Sequence, residues 1–391
     1  MKAQRALSGT ARSEDGGSAA VNSELRFRDP KLARELAATL KRLVGEIGRP
    51  VAVMHVCGSH EQAIAKFGLR SLFPKGLEVI MGPGCPVCVT DTPEVDEGVL
   101  LARQGVRIAT FGDMLKVPGT VQSLADAQAS GGKLEIVYSP KQAVDIARKT
   151  SDEVVFFATG FETTAVATAA VVLAGLPPNF SVLSAHKYIP PVMEIVAEMP
   201  DTRVEGFLAA GHAATITGWG IFEPFVARHG LPVVVAGFEP LDVLQSIAML
   251  LRQLGEGRCE VENQYKRVVP WEGNRAALRA MAEVFQLRPY FEWRGLGFIS
   301  QSALRIRDTY AEWDSESRFT VPGVRVTDPK AAQCGEVLKG VLKPAQCKLF
   351  GTECTPEHPL GALMVSSEGS CAAYFNYQYR KSFVAGINSA A

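Results

Sequence analysis

Eight cysteines in 391 residues fall into two groups and a singleton. Cys57, Cys85 and Cys88 lie early, Cys334, Cys347, Cys354 and Cys371 lie late, and Cys259 stands alone between them. In a reducing compartment, thiols grouped this way point to metal ligands or catalytic sulfur. The late quartet, Cys-x12-Cys-x6-Cys-x16-Cys, places four thiols within 38 residues. That suits a cubane iron–sulfur cluster or a structural zinc. Zinc ribbons usually present close Cys-x-x-Cys pairs, and the quartet has none, so its spacing leans towards the larger cluster and leaves zinc open. Four cysteines buried merely as small apolar side chains would rarely concentrate in a tenth of a chain.

The early group has different chemistry. Cys57, in Cys57-Gly58-Ser59-His60, follows an apolar run and precedes a helical segment. A helix start lowers a thiol's pKa and His60 stands close by, so a nucleophile or a metal ligand is expected. A small thiol packed behind the turn is the plainer alternative. Gly82-Pro83-Gly84-Cys85-Pro86-Val87-Cys88 is a stiff turn whose Cys-x-x-Cys spacing puts two sulfurs within disulfide reach. It reads as a redox-active dithiol, or as half of a zinc site. Gly160-Phe161-Glu162-Thr163-Thr164 ends a strand and opens a helix, which suits an anion, a partner's edge, or simply a helix cap. His186 and His212 close two further strands as proton donors, ligands or satisfied core groups, and His55 reads as core. His358 lies within the late segment and is expected beside the quartet; Cys259 reads as structural or incidental.

These residues need a scaffold. From Val51 the chain alternates apolar runs (Val51–Val56, Leu77–Met81, Val106–Phe111, Leu134–Tyr138) with helical segments, with Thr92 and Ser139 as expected N-caps. A second series runs from Val154–Ala158 through Ser181–Ala185 and Val204–Ala209 to Val233–Ala236, and Gly237-Phe238-Glu239 echoes Gly160-Phe161-Glu162. Strands alternating with helices imply parallel sheets covered by helices. Residues 265–314, with three of the four tryptophans, read as mixed helix and loop. The fold class is therefore α/β: two parallel-sheet α/β domains plus a smaller C-terminal domain around the quartet, an iron–sulfur domain where the quartet holds a cluster. Expected spans are a disordered tail over 1–24, an α/β domain with reactive cysteines over 25–150, a second over 151–258, and the C-terminal domain over 259–391.

Composition excludes some functions. Basic and acidic residues both number 41, so no positive excess draws the chain to nucleic acid. No apolar stretch has the length of a secretory signal or a membrane span, so a soluble cytoplasmic protein is expected. A nucleotide-binding enzyme is disfavoured, because neither a Gly-x-Gly-x-x-Gly after the first strand nor a P-loop occurs.

Taken in order, Cys57-Gly58-Ser59-His60, Gly82-Pro83-Gly84-Cys85-Pro86-Val87-Cys88, Gly160-Phe161-Glu162-Thr163-Thr164 and the late quartet closely resemble the HypD family of hydrogenase maturation factors. The resemblance runs from about residue 25 to the end of the chain. It implies a redox-active assembly scaffold, not a conventional turnover enzyme, on which the Fe(CN)2CO group of nickel–iron hydrogenases is built. Implied partners are a HypC-like chaperone that shares the iron, a HypE-like donor that delivers cyanide from a thiocarboxamide, and indirectly the hydrogenase large subunit. Carried over by position, Cys57 would ligate the iron with His60 beside it, and Cys85 and Cys88 would be the dithiol. Cys334, Cys347, Cys354 and Cys371 would hold a [4Fe–4S] cluster. Electrons would run from the cluster through the dithiol to the iron, which requires the three sulfur groups to converge. Outside the family, the same residues would suit an iron–sulfur protein disulfide reductase or a zinc-stabilised binding protein.

Overall fold

The computed structural model describes residues 26–321 and 332–379; the expected tail lies outside them. β1 (Val51–His55) and β2 (Leu77–Met81) come first, then β3 (Arg107–Thr110), β4 (Leu134–Ile136), β5 (Val154–Gly160) and β6 (Phe180–His186). β7 (Phe207–Ala210), β8 (Val233–Ala236) and β9 (Val261–Asn263) complete the series. Every pairing among these nine strands is parallel, so the core is α/β. β1, β5, β6, β7 and β8 are buried from end to end, as the unbroken apolar runs require when helices cover both faces.

Helix starts carry their own signals. Asp29 caps the helix Pro30–Ile47, accepting from Lys31 N at 2.7 Å, and Gly48 at φ 72° closes it. Ser139 caps the helix Pro140–Ala147 as expected. The cap of the helix Thr92–Arg103 is Asp91, not Thr92: Asp91 and Glu94 form a reciprocal capping box, with Asp91 N donating to Glu94 Oε2 at 2.8 Å.

Two sheets result, ordered β2-β1-β7-β8-β9 and β4-β3-β5-β6. The first joins residues 51–81 to residues 207–263, with the second sheet's strands lying between them in sequence. Sheet membership therefore cuts across the boundaries expected near 150 and 258. An apolar run announces a strand, but not which strand lies next to it. In each sheet the order reverses once, between β1 and β7 and between β3 and β5. Crevices open at the carboxyl ends of strands at such switch points.

Residues 265–314 hold more strand than expected. β10 (Phe285–Leu287), β11 (Tyr290–Trp293), β12 (Gly297–Ser300) and β13 (Leu304–Ile306) form two antiparallel pairs, β10 with β13 and β11 with β12. They back the second sheet, where Ser184 Oγ donates to Leu304 O at 2.8 Å. The C-terminal segment, 334–379, packs Val337, Phe350, Leu363 and Cys371 into the same core as Cys85, Cys88, Val155 and Phe157. Among the described residues, no helix is long and apolar enough to cross a membrane.

Candidate functional site

Cys57 leaves β1 at the β1/β7 switch point and stands as N-cap of the helix Gly58–Lys66. Its thiol is buried and its pKa is pushed up to about 12 by that burial, then by Glu368; backbone N–H groups of His60 and Ser59 oppose the rise without cancelling it. This corrects the expectation of a thiol activated by the helix start, because desolvation outweighs the dipole. His60 does not offer its ring to Cys57. Its Nε2 faces Ala236 O at 3.3 Å and Gly237 O at 3.1 Å at the exit of β8, and burial, then His55, push it down to about 3. The ring stacks on Phe238 at 4.7 Å, and Phe238 stacks on His212 at 3.6 Å. His55 is core, bonded to Glu61 at 3.0 Å. Burial alone would raise the Glu61 carboxyl, but Arg70 and His55 hold it down to about 2.

Cys85 and Cys88 are joined as a disulfide, with Cα atoms 5.2 Å apart and side chains 0% and 1% exposed. Their turn lies directly on Cys57: Gly58 N donates to Gly84 O at 2.8 Å, and Gly82 N to His55 O at 2.9 Å. A Cβ on Gly84 would sit inside the Val56–Cys57 backbone, which is why glycine stands there.

The quartet converges as well. Cys334, Cys347, Cys354 and Cys371 line one small cavity walled by Val337, Leu349, Phe350, Leu363 and Met364. Burial pushes the Cys334 thiol up to about 11, and burial with the three neighbouring thiols raises Cys371 well above its ordinary value. Four sulfurs facing one apolar chamber are a fitting donor set for a metal–sulfur group, whose positive charge would compensate the buried thiolates. Among the described residues, no three of these sulfurs lie within 4.8 Å of one another, whereas tetrahedral zinc with 2.3 Å bonds needs about 3.8 Å. His358 is exposed, bonded through its backbone to Thr355, and is not part of the cavity wall. Cys259 is exposed, its Sγ 2.9 Å from Gly230 O.

What joins the three sulfur groups is a segment the sequence did not flag. Ser366 Oγ donates to Asp113 Oδ2 at 2.6 Å, Gln62 Nε2 to Ser367 Oγ at 3.1 Å, and Ser59 Oγ to Glu368 Oε1 at 2.6 Å. A Cβ on the next residue, Gly369, would be 3.2 Å from Cys88 Sγ. Cys371 follows two positions later. Only closeness to Cys371 in sequence could have drawn attention to these residues.

Gly160–Thr164 mostly turns inward. Glu162 is fully buried, accepts from Ile189 N at 2.9 Å, and is pushed up to about 7 by burial. Phe161 stacks on Trp293 at 6.1 Å and packs against the cores of both sheets. Thr164 Oγ1 donates to Phe161 O at 2.9 Å, while Thr163 is exposed. His186 is buried, bonded to Thr168 Oγ1 at 3.0 Å, and pushed down to about 3 by burial, then by Lys187. Lys187, also missed, is fully buried and donates to both Glu94 oxygens at 2.7 Å.

The family model described as "Hydrogenase formation hypA family", designated HypD, matches residues 31–378. A hydrogenase maturation factor HypD of Rhodobacter capsulatus is 47% identical over 365 residues, 90% of this chain and 97% of that protein. Those of Azotobacter vinelandii and Escherichia coli K12 are 44% and 41% identical, covering 92% and 91% of this chain and 98% of each relative. The chain belongs to the HypD family of hydrogenase maturation factors.

Proposed function

We propose that this maturation factor is a redox scaffold on which iron is held at Cys57 while its cyanide and CO ligands are installed. The observation that carries the reading is convergence: the Cys85–Cys88 turn lies on the Cys57 backbone, and the Cys88 sulfur lies against Gly369, beside the quartet. A [4Fe–4S] cluster held by Cys334, Cys347, Cys354 and Cys371 would supply electrons singly. The protein's own thiols account for the rest. Freeing cyanide from a sulfur-bound cyano group takes two electrons and one proton, breaking the S–C bond and leaving a thiol. Cys85 and Cys88 closing to a disulfide release two electrons and two protons, so one dithiol serves one cyanide. Cys57, protonated when free, would lose its proton to solvent as its sulfur bonds a soft iron that prefers thiolate. A HypC-like chaperone would share that iron, a HypE-like protein would bring the cyano group, and the exposed Thr163 belongs to a candidate contact surface.

Burial of both dithiol sulfurs disfavours a general protein disulfide reductase, whose substrate must reach them. The test is anaerobic purification with visible spectra and iron and sulfide analysis. Wild type should hold about four iron and four sulfide per chain, with broad visible absorption, and Cys354→Ala should lose both. A colourless wild-type protein with one zinc would overturn the reading.

A further inference from the structure

Ser366 to Gly369 form a closed turn: Gly369 N donates to Ser366 O at 2.9 Å, and Glu368 N to Ser366 Oγ at 3.2 Å. One end of it touches the dithiol and the other touches the Cys57 helix. At the first end, Gly369 presents bare backbone to Cys88 Sγ. At the second, Glu368 accepts from Ser59, and its side chain lies so close to Gly58 that a Cβ there would be 2.6 Å from Glu368 Cβ. Cys57, immediately before Gly58, is 7% exposed.

Reducing the disulfide breaks one S–S bond and forms two S–H bonds, taking two electrons and two protons. A small dithiol reagent can supply them, itself closing to a disulfide, as can two one-electron transfers from a cluster with protons from solvent. The sulfurs must then part from bonding distance to van der Waals contact, roughly an ångström and a half. Both are fully packed, so the movement must be taken up by neighbours. Gly369 is one such neighbour, and its turn is braced internally.

We propose that Glu368 is a positioning residue that carries the state of the dithiol to Cys57: linked, the cover is closed over Cys57, and unlinked, Glu368 shifts and opens it. The inference deepens the scaffold reading, since it rests on Cys57 receiving the iron. Under it, iron would be admitted only when the electrons for cyanide release are already stored nearby.

The test is site-resolved alkylation of Cys57 by iodoacetamide, followed by peptide mass spectrometry at fixed pH on the full chain. The linked wild type is compared with Cys85→Ser/Cys88→Ser, which cannot form the bond. The unlinked form should react at least tenfold faster at Cys57. Glu368→Ala in the linked background should react at the fast rate, and adding it to the unlinked variant should change little. A linked-to-unlinked ratio within twofold, or a ratio that survives Glu368→Ala, would overturn the proposal. If Glu368→Ala does not fold by circular dichroism, Ser59→Ala removes the same hydrogen bond and is read by the same criteria. Iron and sulfide analysis of the same samples reports separately on the scaffold reading.

Discussion

At the level of single residues, the site is governed by burial more than by local dipoles. With its pKa pushed up to about 12 by burial, Cys57 is held as the unreactive thiol at neutral pH. Iodoacetamide at pH 7.5 should therefore modify the exposed Cys259 at least tenfold faster than Cys57 in the disulfide-linked protein. Comparable labelling in peptide maps would mean that Cys57 is more open than its surroundings indicate. Glycine positions make a second contrast. Gly84→Ala should cost more than about 3 kcal/mol or abolish folding, because its Cβ meets backbone that cannot yield. Gly45, inside the helix Pro30–Ile47 with open space around it, should gain about 0.5–1 kcal/mol on replacement by Ala. Urea midpoints of the two variants against wild type check both; equal effects would sink the steric argument. The cysteines and the Gly-Pro-Gly turn were legible because their chemistry is written in residue type and spacing. Glu368 was not, since a lone glutamate becomes meaningful only when folding brings it to Ser59, more than three hundred positions away.

At the level of elements, strands with unbroken apolar runs, such as Val154–Gly160, declared themselves, and Ser139-Pro140 declared a helix start. The β10–β13 ribbons did not, because three or four residues cannot establish an alternation. Helix starts also carry titrating groups. Glu162, at the first turn after β5, is raised to about 7 by burial, against an ordinary value of 4.5. Its folded pKa lies above the unfolded one, so its contribution to stability is complete below about pH 4.5 and is lost as the pH rises through about 7. Glu162→Gln removes that titration. Relative to wild type, the variant should improve by up to about 3 kcal/mol between pH 4.5 and pH 8, as read from urea unfolding at both pH values. A difference that does not move with pH would show that Glu162 ionises as easily in the fold as outside it.

Across the whole molecule, the interleaved order of the two sheets means that no single cut between residues 81 and 207 separates them cleanly, so long-range contacts must hold the sulfur groups in register. A buried charge contact of this kind is Lys187–Glu94. Lys187 directly follows β6, Glu94 belongs to the helix Thr92–Arg103 after the dithiol, and the Phe291 ring centre of the β11 ribbon lies 4.4 Å from the ammonium. Three parts of the chain thus meet at one buried cation, just beyond Cys88. Burial disfavours the charged lysine while Glu94 restores it, so neither partner is tolerable alone. Lys187→Met should cost about 3–5 kcal/mol by leaving Glu94 buried without its cation. The double variant Lys187→Met/Glu94→Gln should recover more than half of that loss in urea unfolding. If instead the double variant is as damaged as the sum of its parts, the two residues act through separate contacts. The helix behind the dithiol would then be held by its apolar packing in the core that includes Val155 and Phe157, and the ion pair would have no part in keeping Cys88 against Gly369.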